Sequence, residues 1–294
     1  MEDLIIGGSQ VGDGHPTIIV SEQGINNQGD VNIAKRLIDA SIDAGVNATK
    51  FQTRNVDVVY SPEELTRPRE SVFGKTNGDL KRGLELSGEE YSEIDVYCGE
   101  KGLTWWSSAW DEGSVDFLAS FDIPCFKIAS ACLTDDNLLR HHLQYKKPII
   151  LSTGMSTLKQ IDHAVDVLAT DDLILLHCVS AYPSPPEHLN LRVIETLKSR
   201  YGLNVGYSGH EVGLATTVAA VVLGACMIER HICLNRADWG SDMAASVEPK
   251  GLGLLVRDVR SVESAMGTGE KTVLPQEKPI ISKLRRVDTM KLEG

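Results

Sequence analysis

Short apolar segments rich in β-branched residues alternate with amphipathic segments along most of the chain. The apolar segments are continuous, which is typical of strands that are buried on both faces of a parallel sheet. The intervening segments, such as Val31–Ala44 and Leu158–Ala169, have the three- and four-residue apolar spacing of helices. The predicted strands are Ile18–Gly24, Ala48–Thr53, Leu103–Trp110, Cys125–Ser130, Pro148–Gly154, Leu173–Ser180, Asn204–His210 and Met227–Leu234. Eight successive strand–helix units predict a single closed (β/α)8 TIM barrel.

Two polar segments interrupt this alternation, one after the second predicted strand and one after the eighth. Residues 54–87 form a long loop insertion with four arginines and two lysines, and residues 235–248 are also irregular. Because active sites of such barrels lie at the carboxyl ends of the strands, we expect both segments near the site. We expect residues 1–294 to form one domain, with a barrel core at about 17–268 and a short C-terminal tail.

Composition excludes several classes of function. The chain has 294 residues and a net charge of −12, which argues against binding to nucleic acid or to an anionic membrane. It contains no run of 18 apolar residues and begins with an acidic segment that does not resemble a secretion signal, so we expect a cytoplasmic protein. The six cysteines lack CxxC spacing, and we interpret them as reduced, buried thiols.

Nearly every predicted strand ends in polar residues, which predicts a polar, concave site at the barrel mouth. Lys50 and Lys127 lie within apolar strands, where an unpaired ammonium group is costly to bury. They would be stabilised by a carboxylate or phosphate ligand, and the alternative is a snorkelling or salt-bridged lysine. Ser130, Ser152 and Thr153 could supply hydroxyl and amide donors to the same anion, with Gly154 permitting its close approach.

Two histidines at the ends of neighbouring strands predict a metal site. His210 ends the seventh predicted strand and His231 lies in the eighth, so their imidazoles could share a divalent cation with water and substrate oxygens. The alternative for either residue is a hydrogen-bonded core histidine. Asp242 and Glu229 are candidate supporting residues. Glu22, at the end of the first strand, is the isolated carboxylate best placed for proton transfer or for binding a sugar hydroxyl.

The remaining histidines carry weaker signals. His177 lies in an apolar strand, where it is either a site residue or a satisfied core residue. We interpret the others as solvent-exposed: His15, His141, His142, His163 and His188.

Motifs at the strand ends resemble those of the sialic acid synthase family, including its relatives that make other nonulosonic acids. They occur in the family's order from about Ile18 to Met266. The motifs are EQGINNQGD, KFQT, FKIAS, KPIILSTGMS, HCVSAYPSP, VGYSGH, GACMIERHICL and WGSDMAASVEP.

The resemblance implies that C3 of phosphoenolpyruvate attacks the aldehyde carbon of an open-chain N-acylmannosamine or its 6-phosphate. Water then adds at C2, and phosphate leaves by C–O cleavage. A divalent cation, Mn²⁺ or Mg²⁺, would activate the aldehyde. By resemblance, His210 and His231 bind the metal, and Glu22 is the catalytic carboxylate. The phosphoenolpyruvate set is Lys50, Lys127, Ser130 and Ser152, and residues that line the sugar site or support the metal are Ser108, Tyr182, Ser208 and Asp242.

Several positions depart from the family pattern. The usual NHNG is replaced by Asn26-Asn27-Gln28-Gly29, Cys132 replaces a sugar-contacting glutamate, and GYSDH becomes GYSGH. Residues 239–243, WGSDM, replace PGPDH, and we expect this protein to lack the family's C-terminal antifreeze-like domain. We therefore expect retained condensation chemistry with altered acceptor recognition. A homodimer formed through the barrels is one option, since typical members dimerise partly through that domain.

The basic residues of the insertion have two interpretations. They either replace the missing domain by binding a phosphate or N-acyl group, or form a solvated loop face. They are Arg67, Arg69, Lys75, Lys81 and Arg82.

Two alternatives to the leading function stay open at this point. The acceptor could be a different aldose, giving a deaminated or other 3-deoxy sugar acid. The chain could also be a non-catalytic sugar- or phosphoenolpyruvate-binding homologue. A histidine pair beside an anion site favours the enzyme, because binding alone does not need it.

Overall fold

In the described part of the chain, eight parallel strands close into one barrel, and four more form two short antiparallel hairpins. The computed structural model describes residues 4–287. The barrel strands follow one another in chain order, and the last pairs with the first. In chain order the strands are β1 (Leu4–Ile6), β2 (Ser9–Val11), β3 (Ile18–Glu22), β4 (Ala48–Thr53), β5 (Pro68–Ser71), β6 (Gly74–Thr76), β7 (Thr104–Ala109), β8 (Phe126–Ile128), β9 (Ile149–Ser152), β10 (Leu173–Cys178), β11 (Asn204–Gly209) and β12 (Met227–His231).

Helices pack around the barrel and begin where the sequence supplies caps. Asp30 Oδ1 accepts a hydrogen bond from Asn32 N at the start of the first helix, which ends at Gly45 with a φ of 79°. Thr157 and Gln160 form a capping box at another helix start. The helices are α1 (Val31–Ala44), α2 (Val56–Val59), α3 (Pro62–Thr66), α4 (Asn77–Leu84), α5 (Gly88–Lys101), α6 (Glu112–Ala119), α7 (Asp136–His142), α8 (Leu158–Leu168), α9 (Val193–Tyr201), α10 (Ala215–Val222), α11 (Pro249–Met266) and α12 (Lys278–Leu284).

The TIM-barrel prediction is confirmed. Each of the eight predicted strand segments contains one barrel strand, and α1 has the predicted bounds. The observed β4 has the predicted bounds, and the other seven barrel strands are shorter than the predicted segments; β8, for example, spans only Phe126–Ile128. The apolar pattern continues into residues that leave the sheet at the barrel mouth, so periodicity alone overestimates strand length.

Residues 54–87 are more ordered than the loop that we expected. They contain α2, α3, the hairpin of β5 and β6, and α4. Asn55, Ser61 and Thr76 cap the three helices with side-chain hydrogen bonds. The hairpin residue Phe73 contacts Trp239 edge-on, with ring centroids 5.9 Å apart. The insertion therefore has its own local structure and contacts the other irregular segment, 235–248.

The two ends of the chain add elements that periodicity did not predict. The hairpin of β1 and β2 buries Leu4, Ile6 and Val11. It lies near the amino ends of the barrel strands, because Gly7 approaches Thr104 at the start of β7. In the tail after α11 the structure shows the short helix α12, and residues 288–294 of the predicted tail lie outside the described residues.

The core contains all six cysteines as free, buried thiols, which confirms their interpretation. One histidine prediction was wrong: His142 is fully buried. Its Nδ1 donates to Leu138 O at 2.8 Å, and its ring packs edge-on against Phe126. Burial lowers its pKa to about 4, because desolvation disfavours the imidazolium. Across residues 4–287, no helix combines the length and the apolarity that crossing a membrane requires.

A buried ion pair joins the ends of β11 and β12. Arg230 Nη1 lies 3.2 Å from Glu211 Oε1, and Arg230 Nη2 donates to Glu211 O at 2.6 Å. Thr217 Oγ1 donates to the same carboxylate at 2.7 Å. The two partners directly adjoin His231 and His210 in the chain. The pair therefore holds together the two strand ends that carry these histidines.

Candidate active site

Ten of the eleven predicted site residues line one cavity of about 220 Å³ at the carboxyl ends of the barrel strands. Asp242, the eleventh, lines an adjoining cavity. The ten are Glu22, Lys50, Ser108, Lys127, Ser130, Ser152, Tyr182, Ser208, His210 and His231. The fold thus brings together side chains from seven barrel strands and the following loops.

Lys50 is held in a network of carboxylates. Its register position on β4 is opposite Glu22 on β3, and its Nζ lies 2.5 Å from Glu22 Oε2. Nζ also donates to Ser108 Oγ at 3.0 Å and lies 3.8 Å from Glu229 Oε2. Gln52 Nε2 donates to Glu22 Oε1 at 2.8 Å. The salt-bridged alternative therefore describes Lys50, although its ammonium group still lines the cavity.

The two carboxyl groups beside Lys50 differ in their electrostatics. Burial raises the pKa of Glu22, and the Lys50 charge only partly opposes this effect. Burial also opposes ionisation of Glu229, but the charges of Lys50 and Lys127 outweigh it and lower the pKa. Glu22 is therefore the group better suited to exchange a proton near neutral pH.

Lys127 has no carboxylate partner within 4 Å among residues 4–287, yet its side chain is only 2% exposed. Its Nζ donates to Ser152 Oγ at 2.6 Å and to Ile128 O at 3.0 Å. Burial lowers its pKa, and the charge of Glu229 partly opposes the shift. An anionic ligand would stabilise this buried ammonium group directly.

Gly154 allows a close approach beside this lysine. Its backbone N–H donates to Ser130 Oγ at 3.0 Å and to Cys178 Sγ at 3.1 Å. A Cβ at this position would lie 2.3 Å from Ser180 Oγ. Thr153 does not join the group, because its hydroxyl donates to Leu176 O at 3.0 Å. The predicted donor cluster is therefore reduced to the hydroxyl groups of Ser130 and Ser152, with Gly154 allowing the close approach.

The predicted metal-binding histidines are neighbours. Their ring centroids lie 5.4 Å apart, and the Tyr182 ring lies 4.2 Å from that of His210. His210 Nδ1 donates to Val179 O at 2.7 Å, so Nε2 carries the free lone pair. Burial lowers the pKa of His210 to about 4 and also lowers that of His231, which keeps both rings neutral.

A divalent cation fits these two residues. His231 Nδ1 is buried without a hydrogen-bond partner, and Asp242 Oδ2 lies 3.7 Å away, beyond hydrogen-bond distance. Neutral imidazoles with available lone pairs are ordinary ligands of Mn²⁺ and similar ions. Within residues 4–287, no three or more His, Cys, Asp or Glu side chains are grouped to hold a metal. The remaining ligands would therefore be oxygen atoms of water or substrate.

Sequence reasoning assigned no role to several lining residues, among them Gln52, which donates to Glu22, and Trp110 and Cys178, which form cavity walls. Gln52 lies near the end of β4 and Trp110 directly follows β7, two strands whose ends were already of interest. On β10 the weaker candidate His177 points away and donates from Nε2 to Leu189 O at 2.7 Å. Its neighbour Cys178 faces the cavity, as the alternation of side chains along a strand requires.

Comparison with known proteins identifies the family. The profile of the NeuB family matches residues 37–271. N-acetylneuraminate-9-phosphate synthase of Mus musculus is 40% identical, and the match covers 94% of this chain and 79% of that protein. N,N'-diacetyllegionaminic acid synthase of Legionella pneumophila is 34% identical, with 93% and 80% covered. The structure of N-acetylneuraminic acid synthetase from Leptospira borgpetersenii, in complex with citrate, has a TM-score of 0.83 at 30% identity and covers 97% of this chain and 98% of that one.

The family match spans well over half of the chain, and the matches to the two relatives named above, both synthases, cover 94% and 93% of it. This excludes the alternative of a non-catalytic homologue. The chain belongs to the NeuB family and is a sialic acid synthase-type enzyme, a phosphoenolpyruvate-dependent transferase that forms carbon–carbon bonds.

Proposed function

We propose that this enzyme condenses phosphoenolpyruvate with an open-chain N-acylmannosamine-type aldose, or its 6-phosphate, to form a nonulosonic acid and inorganic phosphate. The observation that carries the proposal is the buried ammonium group of Lys127, which lacks a carboxylate partner among residues 4–287 and lines the same cavity as the histidine pair. An anion and a polarised carbonyl group would meet in this cavity.

The lysine side of the cavity binds phosphoenolpyruvate in this proposal. Lys127 and the hydroxyls of Ser130 and Ser152 donate to its negatively charged oxygens. Lys50, held by Glu22, supplies a second positive charge at a fixed position. Preorganised charges of this kind stabilise the negative charge that moves to the departing phosphate.

The histidine side orients the aldehyde. His210 and His231 would hold a divalent cation, which when bound supplies Lewis-acid activation of the aldehyde oxygen. Tyr182, packed against His210, forms the adjacent wall and keeps the acceptor over the lysines. C3 of phosphoenolpyruvate attacks the aldehyde carbon, C1 of the aldose, and a C3–C1 bond forms. Positive charge then develops at C2 of the former phosphoenolpyruvate.

In the second half of the reaction, Glu22 acts as the general base. Water adds at C2, and the carboxylate of Glu22, held by Gln52 and Lys50, accepts the proton that this water loses. Glu22 then gives this proton to the former aldehyde oxygen, which becomes a hydroxyl group. The C2–O bond to phosphate breaks as the new C2 hydroxyl loses its own proton to the departing phosphate and becomes the ketone. The products are a 2-keto sugar acid and inorganic phosphate, so all atoms are accounted for.

Condensation with a different aldose is the second candidate, and Cys132 favours it. This residue replaces a glutamate that contacts the sugar by resemblance, and it is buried rather than lining the cavity. Loss of that contact on the acceptor side is compatible with another sugar, giving a deaminated or other 3-deoxy sugar acid.

An assay of phosphate release tests the proposal. The enzyme is incubated with phosphoenolpyruvate, Mn²⁺ or Mg²⁺ and a panel of aldoses, with and without EDTA, and the products are identified by mass. We expect phosphate release that requires both an N-acylmannosamine-type aldose and the cation. Release only with other aldoses would select the second candidate, and full release in EDTA would contradict the metal assignment.

Lys127→Ala is expected to raise the KM for phosphoenolpyruvate far more than the KM for the aldose. Removing one charge-assisted hydrogen bond costs about 1.5–3 kcal/mol, or roughly ten- to a hundredfold in affinity. Lys159→Ala, at an exposed lysine of α8, is the matched control. Equal losses for both substrates would contradict the proposed role of Lys127.

A further inference from the structure

A second cavity of about 220 Å³ adjoins the active-site cavity at the barrel mouth. Gln52, Trp110 and Tyr182 line both cavities, so the two share a wall. The other side of the outer cavity is formed largely by the insertion, residues 54–87. A substrate whose reacting end lies among the lysines and histidines can therefore extend its other end towards the insertion.

Of the described residues, three with cationic side chains line this outer cavity, and two of these lack a carboxylate partner among residues 4–287. Arg54 is neutralised by Glu85, with Nε 2.6 Å from Oε1. The side chain of Arg69, exposed on β5, forms no hydrogen bond or ion pair with any part of residues 4–287. Lys81 has its Nζ 3.8 Å from the centre of the Tyr60 ring and no carboxylate within 4 Å among the same residues.

Neighbouring basic residues of the insertion behave differently. Arg67 pairs with Glu64 at 3.0 Å, and Arg82 pairs with Asp57 at 3.3 Å. Neither lines the outer cavity. Lys75 has no carboxylate within 4 Å among residues 4–287 either, but it does not line the cavity. In a chain with a net charge of −12, two of the three cations of this segment that lack a carboxylate partner thus line the cavity where a ligand could enter.

Other polar groups of the outer cavity suit the rest of a sugar. Asn77 is 4% exposed, and its Oδ1 has no hydrogen-bond partner within residues 4–287, while its Nδ2 donates to Glu64 Oε1 at 2.8 Å. A sugar hydroxyl or an amide N–H would satisfy this acceptor. The two carboxylates that line the cavity are Glu85, already paired with Arg54, and Asp242, which lies on the side of His231.

We propose that Arg69 and Lys81 bind the phosphate group of a phosphorylated aldose, so that the preferred acceptor is a sugar 6-phosphate. This inference rests on the proposed function and specifies its acceptor. A phosphate dianion matches two unpaired cations, one with a planar donor fork and one with a point charge. A neutral N-acyl group would leave both charges unmatched.

The test compares N-acetylmannosamine with its 6-phosphate as acceptors for the complete enzyme. In the double variant Arg69→Gln/Lys81→Gln, we expect the ratio of kcat/KM for the phosphorylated over the unphosphorylated sugar to fall about tenfold or more. Lys75→Gln, at an exposed lysine of the same insertion that does not line the cavity, is the control and should keep the wild-type ratio. Circular dichroism verifies that each variant folds.

Calorimetric titration of the two sugars, without phosphoenolpyruvate, gives a readout that does not depend on turnover. We expect tighter binding of the phosphorylated sugar by the wild-type enzyme and loss of that difference in the double variant. An unchanged ratio in both measurements, or a rise only in the KM for phosphoenolpyruvate, would overturn the inference. Absence of phosphate release with either sugar would contradict the proposed function instead, and the titration would still decide whether the outer cavity binds phosphate.

Discussion

Replacing His231 with alanine is expected to reduce cation-dependent phosphate release about a hundredfold or more, since even residues that only support a metal ligand matter ten- to a hundredfold. The buried Nδ1 of His231 has no hydrogen-bond partner within residues 4–287, so a bound cation is the partner that would satisfy it. For the same reason the substitution breaks no hydrogen bond at that atom, and we expect little loss of folding. Phosphate release is measured with Mn²⁺, and Mn²⁺ binding is followed by electron paramagnetic resonance.

The control for this variant is His163→Ala. His163 is an exposed histidine of α8 that pairs with Asp136 and does not line the cavity. It should retain both activity and Mn²⁺ binding. Wild-type Mn²⁺ affinity in the His231 variant would contradict the metal assignment. Loss of the cooperative thermal unfolding transition in this variant would instead show that His231 is needed for folding.

Arg230→Ala is expected to destabilise the fold by about 3–5 kcal/mol, because it leaves the charge of Glu211 buried and uncompensated. Arg230 is 1% exposed and Glu211 is fully buried. Burial opposes ionisation of Glu211, but the Arg230 charge and the Thr217 hydroxyl lower its pKa, so the carboxylate is charged at neutral pH. The decrease in the free energy of unfolding is measured by urea denaturation, monitored by both tryptophan fluorescence and circular dichroism.

Arg140→Ala is the matched control for the buried pair. Arg140 pairs with Asp136 at 3.2 Å on the surface of α7, and exposed pairs of this kind contribute about 0–1 kcal/mol. If Arg230→Ala lowers the free energy of unfolding as little as Arg140→Ala does, the buried pair does not hold β11 and β12 together. Reduced Mn²⁺ affinity of the folded Arg230→Ala protein would further indicate that this pair positions the two histidines.

The barrel was predictable because strands buried on both faces must be continuously apolar. Every barrel strand leaves such a run in the sequence, and α1 carries both its apolar spacing and its caps. The hairpins and α12 leave no comparable run, since they are short and partly exposed. His142 was misassigned because α7 has only 7 residues, too few for the spacing of apolar positions to indicate which face of the helix is buried.

The candidate site was predictable to the extent that it lies at strand ends. Parallel strands of a barrel end on one rim, so polar residues that follow them converge whatever their distance in sequence. Pairing between side chains was not predictable: Lys50 is salt-bridged and Lys127 is not, although both lie in similar apolar runs. The outer cavity depends on how the insertion folds against the mouth, which its polar sequence does not reveal.

The most direct test of the central claim uses phosphoenolpyruvate labelled with ¹⁸O at the oxygen that bridges C2 and phosphorus. The enzyme is incubated with this substrate, N-acetylmannosamine or its 6-phosphate, and Mn²⁺, and both products are analysed by mass spectrometry. Addition of water at C2 followed by C–O cleavage predicts that the label leaves entirely in inorganic phosphate. Label retained in the sugar acid would show P–O cleavage and contradict the account.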